Sequence, residues 1–172
     1  MSKEAILKAS DFGDDFLWGV VIAAAQNEGG YKTDGRGLSI WDQFANKQGK
    51  IKGGTTPAIA CDFYHRLIDE CLNLDLIPYV TLYHWDLPAA LEKEGGWTST
   101  HLIKWFTRYV QICTQEYGSK VKNWIVLNEP MGFTSLGYMI GKHAPGKIGL
   151  SNFLPAVHNA VLAQAEGGRI IR

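Results

Sequence analysis

From Phe16 the chain reads Phe-Leu-Trp-Gly-Val-Val-Ile-Ala-Ala-Ala to residue 25, almost unbroken in apolar character, and stops at Gln26-Asn27-Glu28-Gly29-Gly30. A run that is apolar on both sides has the pattern of a strand buried in a parallel sheet. Residues 29–57 are polar and glycine-rich, a long loop with Trp41 and Phe44 as local anchors. From Ala60 the period becomes helical: Phe63, Leu67, Ile68, Cys71 and Leu72 recur at three and four residues, which predicts an amphipathic helix. Leu76-Ile77-Pro78 ends it, and Tyr79-Val80-Thr81-Leu82-Tyr83 has the β-branched and aromatic content of a strand. Residues 87–96 read as loop. Thr98, Ser99 or Thr100 can cap a second helix with the stripe Leu102, Ile103, Phe106, Tyr109, Val110, Cys113 and Tyr117, closed by Gly118. Val121 to Leu127 is a further strand, a Gly/Pro-containing loop runs to Gly149, and Ser151 can cap a last helix weakened at its end by Gly167-Gly168.

The order is βαβαβα, with the long connections after the strands. A parallel sheet follows, with its working face at the C-terminal strand ends, as in (β/α)₈ barrels and doubly wound sheets. A complete barrel takes about 250 residues, roughly 31 per unit. The 172 residues here, with these long loops, hold about three βα units. The expected fold is therefore α/β, a partial (β/α)₈ barrel forming a single incomplete domain over 1–172.

Composition narrows the function. Lys+Arg and Asp+Glu are both 17, and this balance argues against a nucleic-acid binder. No window approaches the 18 apolar residues of a membrane span, and the N-terminus has no signal-peptide pattern. Cys61, Cys71 and Cys113 form no CxxC pair and are odd in number, so buried thiols in a reducing, cytoplasmic setting are the expectation. The five histidines, at 65, 84, 101, 143 and 158, show no metal-ligand spacing. Phosphate-binding glycine loops and a GxSxG elbow are absent from the sequence, so neither a metal nor a cofactor is expected.

The three strand ends carry the candidate chemistry. They bear Gln26, then His84-Trp85-Asp86, then Asn128-Glu129-Pro130. Parallel strands bring these ends to one rim. Amides and a neutral imidazole donate and accept at once, which suits a ligand with vicinal hydroxyls, and a flat indole can stack on a sugar ring. Taken singly, Gln26, His84 and Trp85 each also fit a structural role. Glu129 is sharper, because a carboxylate straight after a buried strand is costly unless paired or used.

Phe16-Leu-Trp-Gly19, Gln26-Asn-Glu28-Gly, Ser39-Ile-Trp-Asp42, Ala60-Cys-Asp-Phe-Tyr-His65, Val80-Thr-Leu-Tyr-His-Trp-Asp-Leu-Pro88, Gly95-Gly-Trp97, Trp124-Ile-Val-Leu-Asn-Glu-Pro130, Gly137-Tyr138 and His143-Ala-Pro-Gly146 occur in this order. Together they resemble the family 1 glycoside hydrolases, the β-glucosidase family, over essentially the whole chain. The resemblance implies a (β/α)₈ barrel and a retaining double displacement on a β-glucoside or related sugar. Gln26, His84 and Asn128 would bind the sugar, Glu129 would be the general acid/base, and Trp85 and Glu28 would support them. The family's nucleophile lies in a Glu-Asn-Gly motif on a late strand, and no such motif occurs here.

Two departures stand out. The family's Arg-Phe-Ser strand and Trp-Pro pair are missing, and Cys61-Asp-Phe-Tyr-His-Arg66 runs directly into Leu67-Ile-Asp-Glu-Cys-Leu72. This is the pattern of one βα unit skipped between two similar segments, leaving a hybrid helix. Ala25 also replaces the aromatic that usually precedes the glutamine. Two functions fit: a retaining β-glycosidase, or a non-catalytic fragment that self-associates or binds sugar weakly. Three strands leave an apolar face uncovered, so a homo-oligomer or a place in a longer chain is expected.

Overall fold

The computed structural model describes Asp11, Gly13 and residues 15–23, 37–45 and 61–172. Within these the elements are α1 (Ile40–Ala45), α2 (Cys61–Asn73), β1 (Tyr79–Tyr83), α3 (Ala89–Lys93), a 3-10 turn (Gly96–Thr98), α4 (His101–Tyr117), β2 (Asn123–Leu127), α5 (Pro130–Tyr138) and α6 (Leu150–Ile171). The strands β1 and β2 pair in parallel, with Tyr79 beside Asn123 and Tyr83 beside Leu127. The α/β architecture is the one expected, with α4 as the crossover helix.

Packing follows the apolar periods. Leu102, Phe106 and Val110 of α4 are buried with Leu82, Val126 and Trp97 in the main core. The stripe of α6 consists of small residues, Ala156, Ala160, Ala163 and Gly167, all buried. They let the helix come close to the sheet: a Cβ on Gly167 would lie 2.7 Å from Val126 Cγ1. This packing carries α6 unbroken through Gly167-Gly168 to Ile171, past the glycines expected to weaken it. Helix α2 joins through a smaller cluster of Ile68, Tyr117 and Val121, with Val80 packed against it. A hydrogen bond between His65 Nε2 and Glu116 Oε1 (2.8 Å) and an ion pair between Lys120 and Asp69 (2.5 Å) fix its lie beside α4.

The structure departs from the expected strand at 16–25. Residues 16–23 hold no regular structure, and Leu17, Val20 and Val21 are 80%, 97% and 88% exposed; 24 and 25 lie outside the described residues. A strand needs a neighbour to satisfy its backbone, and the described sheet contains β1 and β2 alone. Among the described residues two strands therefore stand where three were expected. Three stretches read as loop contain helices. Within 29–57, α1 is capped by Ser39, whose N–H donates to Asp42 Oδ2 (2.7 Å) while the Asp42 N–H donates back to Ser39 Oγ (3.2 Å), a capping box. The loop 87–96 holds α3, and the loop after β2 holds α5, opened by Pro130 at its first position.

Cys71 and Cys113 are half-buried rather than buried, and neither forms a disulfide. The Cys61 side chain lies outside the described residues. Among the described residues, no helix is long and apolar enough to cross a membrane.

Candidate active site

The parallel pairing of β1 and β2 places His84 and Asn128 at the same end of the sheet. The Asn128 N–H donates to the Tyr83 carbonyl (2.9 Å), carrying the ladder one residue past β2. Asn128 Nδ2 then lies 3.3 Å from His84 Nε2. An amide nitrogen only donates, so in this contact His84 Nε2 stands as the acceptor. An amide and an imidazole from two strands thus meet at one rim, both half-buried.

Two residues beside them sit in left-handed backbone. Trp85 has φ +72° and Glu129 φ +41°, each a strained state for a residue with a side chain. The strain at Trp85 turns its indole toward the neighbouring strand, where Nε1 donates to the Asn128 carbonyl at 2.9 Å. Glu129 stands immediately before α5, and its carbonyl accepts from Gly132 N (2.8 Å) and Phe133 N (3.2 Å). Its side chain is exposed. The indole and the carboxylate both come down over Gly132: a Cβ there would lie 3.0 Å from Trp85 Cζ2 and 3.3 Å from Glu129 Oε2.

His143 completes an aromatic wall. Its ring lies 5.4 Å from Trp85 and 5.5 Å from Trp41 of α1, and its Nδ1 is buried with no hydrogen-bond partner among the described residues. Sequence reasoning recorded His143 as part of a motif and gave it no role. The signal was there in His143-Ala-Pro-Gly146, but a loop residue far along the chain shows nothing of what it touches. Gln26 and Glu28 lie outside the described residues.

Below the rim, buried aromatics hold the strand ends. Trp97 Nε1 donates to Tyr83 Oη at 2.9 Å, and Asn159 Nδ2 donates to the Trp97 carbonyl at 2.8 Å. Burial pushes the Tyr83 and Tyr138 hydroxyls well above the usual tyrosine range, and the Glu92 charge adds to the shift of Tyr138. These phenols act as neutral donors and acceptors. A cavity of about 220 Å³, lined by Phe44, Glu92, Lys93 and Lys147 among others, lies apart from this rim and is lined by none of the candidate site residues.

Comparison with known proteins bears on this rim. The sequence model of the family described as "Glycosyl hydrolase family 1" matches residues 8–67 and again 62–172. Beta-glucosidase A of Thermotoga maritima is 34% identical over 209 residues, covering 96% of this chain and 47% of the relative. The 1,4-beta-D-glucan glucohydrolase of Thermotoga neapolitana is 32% identical, covering 94% of this chain and 48% of the relative. The structure of the family 1 β-glucosidase from Thermotoga maritima in complex with isofagomine lactam superposes with a TM-score of 0.87 at 34% identity, over 94% of this chain and 46% of that one. The chain thus spans about half the length of these relatives. Residues 62–67 take part in both family matches, and the 209-residue alignment is longer than the 172-residue chain. Both facts fit a skipped unit at the start of α2.

Proposed function

This chain belongs to glycosyl hydrolase family 1, and from that premise we propose that it supplies the acid/base side of a retaining β-glycosidase acting on a β-glucoside or related sugar. In this reading Glu129 protonates the leaving glycosidic oxygen and later deprotonates the attacking water. His84 and Asn128, with Gln26, hold the sugar hydroxyls, while Trp85 and Glu28 support them. Retention requires a second carboxylate about 5 Å from the first. That nucleophile would come from the part of the family barrel outside the stretch this chain matches. No cofactor enters the reaction.

The observation that carries the reading is the meeting of His84 Nε2 and Asn128 Nδ2 at 3.3 Å, at the end of adjacent parallel strands, directly before Glu129. Donors and acceptors from two strands converge there beside one carboxylate and an indole face. The same reading includes cover for the sheet face opposite the helices, where Tyr79 and Ile125 are 62% and 43% exposed. Either the remainder of a longer chain or a second copy would provide it, in a cytoplasmic setting.

The test is hydrolysis of aryl β-glucosides by the chain combined with the part of the family barrel that carries the nucleophile, with and without the Glu129→Gln substitution. Positioned general acid catalysis contributes about 10²–10⁴-fold, so the variant loses that much with a poor leaving group and far less with an activated phenol. Turnover that the substitution leaves unchanged would remove Glu129 from the acid/base role.

A further inference from the structure

The loop that carries His143 leaves α5 at Tyr138 and reaches Lys147, and one carboxylate grips both of its ends. Tyr138 Oη donates to Glu92 Oε2 at 2.6 Å. Lys147 Nζ lies 2.5 Å from Glu92 Oε1 and 5.5 Å from the Tyr138 ring centroid. The Glu92 side chain is only 12% exposed, in contrast with the open surface pair Arg169–Glu166 on α6. Gly96 makes room for it: a Cβ at that position would lie 1.9 Å from Glu92 Oε2. A carboxylate so placed is held by two partners of different kinds, a neutral phenol and an ammonium.

Between those ends the loop is pinned by backbone bonds, His143 N to Leu136 O (3.0 Å) and Lys147 N to Gly137 O (2.9 Å). His143 is thereby set 5.4 Å from the Trp85 ring, and Trp85 in turn bonds the Asn128 carbonyl. The contacts form a continuous series from Glu92 through the loop and His143 to Trp85 and Asn128. Among the described residues, Glu92 has no hydrogen bond or ion pair to His84, Trp85, Asn128 or Glu129.

We infer that Glu92 is a positioning residue: its clamp on Tyr138 and Lys147 holds His143 against Trp85 and so fixes the indole that orients Asn128. As a statement about the sugar site this rests on the family 1 reading; as a statement about the rim it stands alone. Glu92→Gln keeps an acceptor for Tyr138 and deletes the charge that holds Lys147. Lys147→Met keeps the side-chain stem and deletes the same pair from the other side. Lys147→Arg retains it.

The experiment measures solvent exchange of the Trp85 indole proton by ¹⁵N NMR on the full chain, alongside the backbone amides of α4 and α6. Glu92→Gln and Lys147→Met are expected to speed indole exchange about tenfold, with Lys147→Arg within about twofold of the parent and the core amides unchanged. An unchanged Trp85 indole in both charge-deleting variants overturns the inference. So does an acceleration shared equally by the α4 and α6 amides, which would mark Glu92 as a general stabiliser. Should Glu92→Gln fail to fold, Lys147→Met against Lys147→Arg decides alone. The readout needs no turnover, so it stands or falls separately from the Glu129→Gln kinetics.

Discussion

The indole of Trp85 donates to the carbonyl oxygen of Asn128 at 2.9 Å, joining the residue two past β1 to the residue one past β2. The bond crosses the rim above the last ladder pair, Tyr83 and Leu127. It accounts for a tryptophan held at φ +72°, a state that a bulky residue adopts only where the surroundings over-determine it.

Replacing Trp85 by Phe keeps an aromatic ring and the strained backbone but deletes the donor. The Asn128 carbonyl then loses its indole partner, and the expected cost is about 1–2 kcal/mol of stability. Urea unfolding followed by circular dichroism measures it. A midpoint equal to that of the parent protein would mean that the indole bond adds nothing to the fold.

Gly132→Ala separates site geometry from stability. In α5 the substitution gains about 1 kcal/mol of helix propensity. Its new methyl, however, falls 3.0 Å from Trp85 Cζ2 and 3.3 Å from Glu129 Oε2, closer than relaxed contact. The Glu129 carboxylate is exposed and swings aside at little cost, whereas the Glu129 Cβ, also 3.3 Å away, is fixed to the backbone and Trp85 is tied to Asn128. The expected outcome is a stability change within about 1 kcal/mol, with the tryptophan emission shifted relative to the parent. Emission that stays fixed would show that the indole does not feel position 132.

Much of this was legible in the chain. The strand 79–83 and the helices near 61–73 and 101–117 follow from period and composition, because each buries its own stripe. The rim pair His84 and Asn128 was also legible, since parallel strands of known direction bring their ends together. Residues 16–23 were misread for a physical reason: their apolar run specifies a strand only if neighbours exist, and pairing partners are a property of the whole sheet. Helix α5 was missed because Gly132 and Gly137 look like loop residues. In the structure both are glycine for close approach, the first beneath Trp85 and Glu129, the second against Ala144. Glu92 carries no local signal, and the motif around His143 marks a residue without its role, because both roles depend on contacts that sequence spacing does not encode.

Two glycine substitutions should act in opposite directions. A Cβ on Gly137 would lie 2.4 Å from the Ala144 carbonyl oxygen, and backbone cannot swing away as a side chain does. Gly137→Ala is therefore expected to cost about 2 kcal/mol or more despite its better helix propensity. Gly168, one residue past a packed glycine in α6, has nothing within 4 Å of its would-be Cβ, so Gly168→Ala should gain up to about 1 kcal/mol. Thermal melts of the two variants against the parent test the pair. Equal shifts for both would contradict the packing assigned to the loop after α5.

Alkaline pH should destabilise the fold through its buried phenols. Burial raises the hydroxyls of Tyr83 and Tyr138 well above the usual tyrosine range, with nearby Glu92 adding to both shifts. In the unfolded chain these groups ionise near their ordinary value. Above about pH 10 the unfolded state therefore binds fewer protons than the folded state, and the slope of stability with pH is negative. The contribution is fully present below the unfolded value and is lost as pH rises toward the folded one. Each fully buried tyrosine costs up to about 1.4 kcal/mol per pH unit over that window. Absorbance at the phenolate band during a pH titration should show the exposed tyrosines ionising smoothly, and the remainder only in step with loss of near-ultraviolet circular dichroism. Tyr83→Phe removes the acceptor of the Trp97 indole bond, yet it should flatten the alkaline slope because one fewer proton is held on folding. A titration in which all seven tyrosines ionise smoothly while the aromatic signal persists would show these hydroxyls to be in contact with water.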